Sequence, residues 1–206
     1  TPDEINSRFA ESIQARLVDL REGNYVDITA EELAKYDQRK ARQDPARSSA
    51  ADANGAQVAR VPNQALVYLF MQGDEVQKLV LPVEGKGLWS TMYGYVALES
   101  DTTTIAGLTF YEHGETPGLG GEVDNPSWQA LWPGRKAFDG SWTPKIGVVK
   151  GAAGSVDEDP YQVDGLSGAT ITSRGVGALL RFWLEDQRFG AYLANFRNQS
   201  LTGGQG

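Results

Sequence analysis

The stretch that most constrains this chain is the apolar run beginning at Gln64. Ala65-Leu-Val-Tyr-Leu-Phe-Met71 and Val76-Gln-Lys-Leu-Val-Leu-Pro82 flank Gln72-Gly-Asp-Glu75. Two such runs joined by a short, Gly-containing turn read as a β-hairpin. Further strands are expected over residues 95–99 and 104–111, with shorter ones over 145–150 and 161–163. Leu179, Leu180, Phe182, Trp183 and Leu184 alternate with Arg181, Glu185 and Asp186 as an amphipathic helix does, so a helix is expected to about Arg188. The pattern specifies an α+β fold, a mostly antiparallel sheet flanked by helices.

Upstream, Ile5, Phe9, Ile13, Leu17 and Leu20 predict an amphipathic helix over residues 3–20. A short strand is expected at 25–28. Thr29 then caps a charged helix over 30–42, with Glu31 and Glu32 placed as the helix dipole prefers. Residues 44–63, rich in Ala, Ser, Asp and Pro, read as an exposed loop. Trp128 and Trp132 imply one or two helical turns over 126–132, and residues 191–206 read as a Gly-rich tail. The expected division is residues 1–63 as N-terminal helices and loop, and residues 64–206 as the main domain.

Composition narrows the chemistry. With 206 residues the chain is long enough for a substantial core. A net charge of −8 argues against nucleic acid as a partner, because phosphate backbones need a basic face. Without cysteine there are no disulfides, thiolate nucleophiles or iron–sulfur ligands, and one histidine, His113, rules out multi-histidine metal sites.

Three glycine-rich stretches remain as candidates. Asp164-Gly-Leu-Ser-Gly-Ala-Thr170 places small residues and hydroxyls directly before the amphipathic helix, with Thr172 and Ser173 in its first turn. Unpaired N–H groups at a helix start suit an anion, most often a phosphate. A plain N-cap that binds nothing fits the same residues, and local chemistry leaves both readings open. Gly87-Leu-Trp-Ser-Thr91 offers Trp89 as a cover for an aromatic ligand or as a core residue. His113-Gly-Glu-Thr-Pro-Gly-Leu-Gly-Gly121 holds more glycine than a tight turn needs, and reads either as backbone approaching a flat ligand or as an irregular surface loop. Gly165-Leu-Ser167-Gly-Ala169 fails the nucleophile-elbow pattern at Ala169, and no P-loop ending is present.

The turn at 164–170 resembles the Asp-x-x-Ser/Thr-Gly-Ala-Thr flavinylation motif of the FMN-binding domain family. Residues 85–94 and 110–122 resemble the companion stretches in the branch that serves Na⁺-translocating NADH:quinone oxidoreductases. The resemblance implies FMN held by a phosphoester to Thr170, with Asp164, Leu166, Ser167, Gly168 and Ala169 forming the recognition turn. Thr172 and Ser173 would lie beside the phosphate, and the flavin ring would lie against Trp89, Ser90, Thr116, Gly118 and Leu119. It further implies a separate flavin transferase for maturation, other subunits of a membrane redox complex as partners, and electron transfer from NADH toward ubiquinone. Family members carry an N-terminal transmembrane helix that no stretch of this sequence provides. The expectation is therefore a soluble domain on the periplasmic side of a bacterial inner membrane. A non-redox extracytoplasmic assembly module is the alternative.

Overall fold

The computed structural model describes residues 12–202. Five strands build one antiparallel sheet: β1 (Ile13–Asp19), β4 (Gln64–Gln72), β5 (Glu75–Lys86), β6 (Thr91–Glu99) and β7 (Ile105–Glu112), hydrogen-bonded in that order. Two small pairs stand apart. Antiparallel β2 (Ser48–Ala50) and β3 (Arg60–Pro62) form one, and parallel β8 (Gly147–Val148) and β9 (Gln162–Val163) form the other. The helices are α1 (Ala30–Lys35), α2 (Gln38–Gln43), α3 (Pro126–Gln129), α4 (Thr170–Leu184) and α5 (Ala191–Thr202), with a 3₁₀ turn at Gly120–Asp124 and a π turn at Asp186–Gly190.

Alternation along the strands assigns one sheet face to the core. Val67 and Leu69, Leu79 and Leu81, Val96 and Leu98 are buried, and they meet Val176, Leu179, Leu180 and Trp183 of α4. Glycines set how close that helix comes. A Cβ on Gly175 would lie 2.4 Å from the Lys86 carbonyl oxygen, and one on Gly85 would lie 2.6 Å from Leu179 Cβ. The indole N–H of Trp183 donates to the Glu84 carbonyl at 2.7 Å, so the buried ring keeps its hydrogen bond. Gly175→Val is expected to destabilise the chain by about 3 kcal/mol through overpacking. Urea titration checks this, with Gly107→Ala as the control because nothing lies within 4 Å of its added Cβ.

Several expectations need correction. Residues 13–19 are not helical; they pair with β4, from Ile13 opposite Phe70 to Asp19 opposite Gln64. The rest of the expected helix, residues 3–11, lies outside the described residues. The expected strand at 25–28 reduces to one bridge, between Val18 and Tyr25. The helix at 30–42 is two helices: Thr29 caps the first with a full capping box, and Asp37 caps the second. Residues 44–63 are not a plain loop, since β2 and β3 pair and Ala56 and Val58 are buried. The expected tail at 191–206 is the helix α5 as far as Thr202. Its Tyr192 is buried and shares a 2.9 Å hydrogen bond with the Tyr25 hydroxyl.

Candidate functional site

The 164–170 turn is anchored from both sides. Asp164 Oδ1 accepts the Ala153 N–H at 2.9 Å, and the Asp164 carbonyl accepts the Trp128 indole N–H at 2.8 Å. Gly165 N–H donates to the Gly151 carbonyl, and a Cβ on Gly165 would fall 2.2 Å from the Val149 carbonyl oxygen. Asp164 and Gly165 thus lock the turn onto residues 149–153. Gly168 takes a φ of +68°, which lets the chain reverse into the helix.

Helix α4 then starts without a side-chain cap. Its N-cap is Ala169, whereas α1, α2 and α3 are capped by Thr29, Asp37 and Asn125. The plain-cap reading fails here, because Thr170 is the first helical residue and its side chain closes nothing. The two hydroxyls that follow it in the first turn of α4 are committed elsewhere. Thr172 Oγ1 donates to Glu115 at 2.6 Å, and Ser173 Oγ accepts the Leu166 N–H at 3.0 Å. Among the described residues the half-exposed Thr170 hydroxyl makes no hydrogen bond.

Glu115 is the residue that sequence reasoning missed. Its carboxylate is buried and draws the three glycine-rich stretches together. Oε1 accepts the N–H groups of Trp89 and Ser90, both at 3.0 Å, and the Ser90 hydroxyl at 3.2 Å. Oε2 accepts the Leu88 N–H at 3.0 Å and the Thr172 hydroxyl. Burial pushes this carboxyl up, but the bonds from Thr172 and from the Trp89, Leu88 and Ser90 amides outweigh it and hold it below its ordinary value. Two glycines make room: a Cβ on Gly87 would lie 2.6 Å from Glu115 Oε1, and one on Gly120 would lie 2.6 Å from Thr172 Oγ1. The available signal was a carboxylate directly after Gly114 in the glycine-rich 113–121 loop. His113 is a latch rather than a base, since Nδ1 accepts the Glu115 N–H at 3.1 Å and Nε2 meets Asp124 at 2.8 Å.

Around this hub lies an apolar shelf. Leu88, Trp89, Leu119 and Ile171 are exposed, Trp89 by 66 %, so Trp89 is not a core residue. Leu119 reaches across to Gly168, whose added Cβ would be 3.0 Å from its Cδ2. Gly118 (φ +75°) and Thr116 are exposed in the same loop, whereas Ser90 is engaged internally, accepting the Gly114 N–H at 2.7 Å. Beside Thr170, a cleft of about 620 Å³ is lined by residues 148–151, 165–168, Thr170, Ser173 and Arg174. An unengaged hydroxyl and an uncapped helix start between an apolar shelf and a cleft fit a phosphorylated ligand with a flat ring.

The FMN-binding domain family matches residues 87–185, the span that holds all three stretches. The C subunit of the Na⁺-translocating NADH-quinone reductase of Vibrio anguillarum is 51 % identical over 196 residues, covering 94 % of this chain and 75 % of that protein. The chain belongs to this family of C subunits. The Pseudomonas aeruginosa member is 46 % identical over 200 residues, with the same coverage of both chains. The crystal structure of Shewanella oneidensis NqrC superposes with a TM-score of 0.87 at 36 % identity, covering 95 % of this chain and 89 % of that one. The crystal structure of the Parabacteroides distasonis member superposes with a TM-score of 0.68 at 30 % identity, covering 94 % and 84 %. The five-stranded antiparallel sheet with its helices is thus the family fold. No helix among the described residues is long and apolar enough to cross a membrane.

Proposed function

We propose that this chain is a redox subunit of a Na⁺-translocating NADH-quinone reductase and carries FMN covalently on Thr170. The observation that carries the reading is the hydroxyl of Thr170, unengaged at an uncapped helix start while Thr172 and Ser173 are both spent. Attachment is a phosphoryl transfer from FAD. The Thr170 oxygen bonds to the flavin phosphorus, the pyrophosphate bridge breaks, AMP leaves, and the hydroxyl proton passes to a base of the transferase. The phosphodiester keeps one negative charge, which the free N–H groups and dipole of α4 favour by about 0.3–1 kcal/mol when exposed. The flavin supplies one- and two-electron chemistry; the chain orients it. A covalent tether suits a carrier that hands electrons between other subunits, because the flavin cannot dissociate. The domain would work on the periplasmic side of a bacterial inner membrane, with the other subunits of the complex as partners.

Co-expression with a flavin transferase tests the proposal. The denatured polypeptide should keep its flavin fluorescence, and the labelled peptide should contain Thr170. A colourless product that still binds partner subunits would favour an assembly module instead. Trp89 gives a second expectation. Because it is 66 % exposed, Trp89→Ala should leave stability within about 0.5 kcal/mol. Losing this aromatic wall should expose the attached flavin, seen as stronger iodide quenching of its fluorescence.

A further inference from the structure

Most lysine and arginine side chains in the described residues have a partner. Arg39 pairs with Glu112 and Arg42 with Glu84, Arg135 and Arg181 donate to backbone carbonyls, and Arg197 stacks on Trp142. Among the described residues, the side chains of Lys78, Lys150 and Arg174 make no ion pair, hydrogen bond or ring contact. In a chain with eight excess negative charges, a cation with no partner of any kind calls for a reason. Two of these three, Lys150 and Arg174, line the cleft beside Thr170.

Their positions are held by the motif itself. Val149 N–H donates to the Val163 carbonyl, Gly165 N–H to the Gly151 carbonyl, and Ala153 N–H to Asp164 Oδ1. Lys150 therefore sits on a segment laced to Asp164 and Gly165, and only glycine at 165 lets the two backbones come this near. Arg174 follows Thr170 by four residues in α4, which places both on one side of the helix. Two unpaired cations, the free N–H groups at the start of α4 and an unengaged hydroxyl thus face one cleft.

We infer that Lys150 and Arg174 recognise the phosphate of the incoming flavin nucleotide, a docking step that precedes bond formation at Thr170. The inference rests on the functional reading above. It also gives the aspartate of the motif a physical role: Asp164 positions the segment that carries Lys150 and does not itself meet the anion.

The test separates docking from attachment. In a Thr170→Val chain, where no ester forms, FMN and riboflavin are titrated by flavin fluorescence at low and at moderate salt. FMN should bind about tenfold tighter than riboflavin, the size of effect that charged hydrogen bonds give, and salt should weaken only FMN. Adding Lys150→Gln and Arg174→Gln should bring FMN down to riboflavin's affinity and leave riboflavin unchanged. Lys78→Gln, removing the third unpartnered cation, should alter neither. In the Thr170-bearing chain, the same pair of substitutions should slow attachment from FAD by about tenfold. Both residues are exposed, so near-ultraviolet circular dichroism should show an intact fold. FMN binding no tighter than riboflavin, a preference that survives the double substitution, or an equal loss with Lys78→Gln each overturns the inference. An unlabelled wild-type chain sinks the functional reading instead, and a labelled wild type with unchanged FMN preference sinks this inference alone.

Discussion

Thr170→Ala is expected to abolish covalent flavin while leaving the fold intact. Three other hydroxyls stand within three residues, the exposed Ser167 in the turn before the helix and Thr172 and Ser173 within α4, so the loss would be partial if attachment needed only a nearby oxygen. The structure argues otherwise. Thr172 and Ser173 are 1 % and 3 % exposed, one bound to Glu115 and the other to the Leu166 N–H. Neither oxygen is open to a transferase, and freeing either would break a buried hydrogen bond at about 1–3 kcal/mol. The Thr170 side chain makes no such bond, so its removal should change stability by no more than about 0.5 kcal/mol. Thr170→Ser, which keeps the oxygen, should still be labelled. In-gel flavin fluorescence and intact mass read the result. Residual label on Thr170→Ala, at the exposed Ser167 or at Thr172 or Ser173 in an opened helix start, would mean that the assignment of the anchor fails.

The sheet and the long helix were legible because their periods are unambiguous. Strands β4 and β6 alternate buried and less buried residues along most of their length, and α4 carries its apolar residues at helical spacing. The first strand was misread for a specific reason. Ile5, Phe9, Ile13 and Leu17 recur every four residues, a spacing that keeps one face in a strand as well as in a helix. What decides for residues 13–19 is the open edge of β4, whose N–H and C=O groups need a partner that no local pattern announces. The C-terminal helix was hidden in the same way. Residues 191–202 have weak apolar periodicity, and the segment is fixed by tertiary contacts: Tyr192 against Tyr25, and Gly23, whose added Cβ would lie 2.5 Å from the Ala191 carbonyl carbon.

At the site, sequence reasoning read the glycines as room for a ligand, and the structure gives two of them a different task. Gly87 and Gly120 clear space for the carboxylate of Glu115 and for Thr172. An acidic residue in a polar loop is ordinarily a solvated one, so the burial of Glu115 is invisible until three distant stretches are brought together. The exposed Trp89 was equally undecided in sequence, because a tryptophan between a leucine and a serine is compatible with core or surface.

The hub leads to the second large effect, Glu115→Gln. A glutamine keeps the shape but offers one acceptor oxygen where the carboxylate offers two. Whichever way the amide points, its NH₂ faces hydrogen-bond donors: the Leu88 N–H and Thr172 hydroxyl on one side, the Trp89 and Ser90 N–H groups on the other. Thr172 has a rotatable hydroxyl and adapts; the backbone amides do not. Leaving a buried N–H unpaired beside another donor should cost about 3 kcal/mol. For a chain of this size that lowers the melting temperature by about 6–12 °C. The pH dependence identifies the carboxylate as the source. Its folded pKa lies below the ordinary 4.5, so its contribution is fully present above that value and is lost as the pH falls through the folded pKa. The stability gap between wild type and Glu115→Gln should therefore be constant from pH 7 down to about pH 5 and shrink in more acid solution. The substitution should also loosen the Leu88–Trp89–Ser90 turn and, on the proposed attachment at Thr170, raise iodide quenching of flavin fluorescence without loss of label. A gap that persists unchanged into strong acid would mean that packing at Glu115, and not its charge, holds the three stretches together.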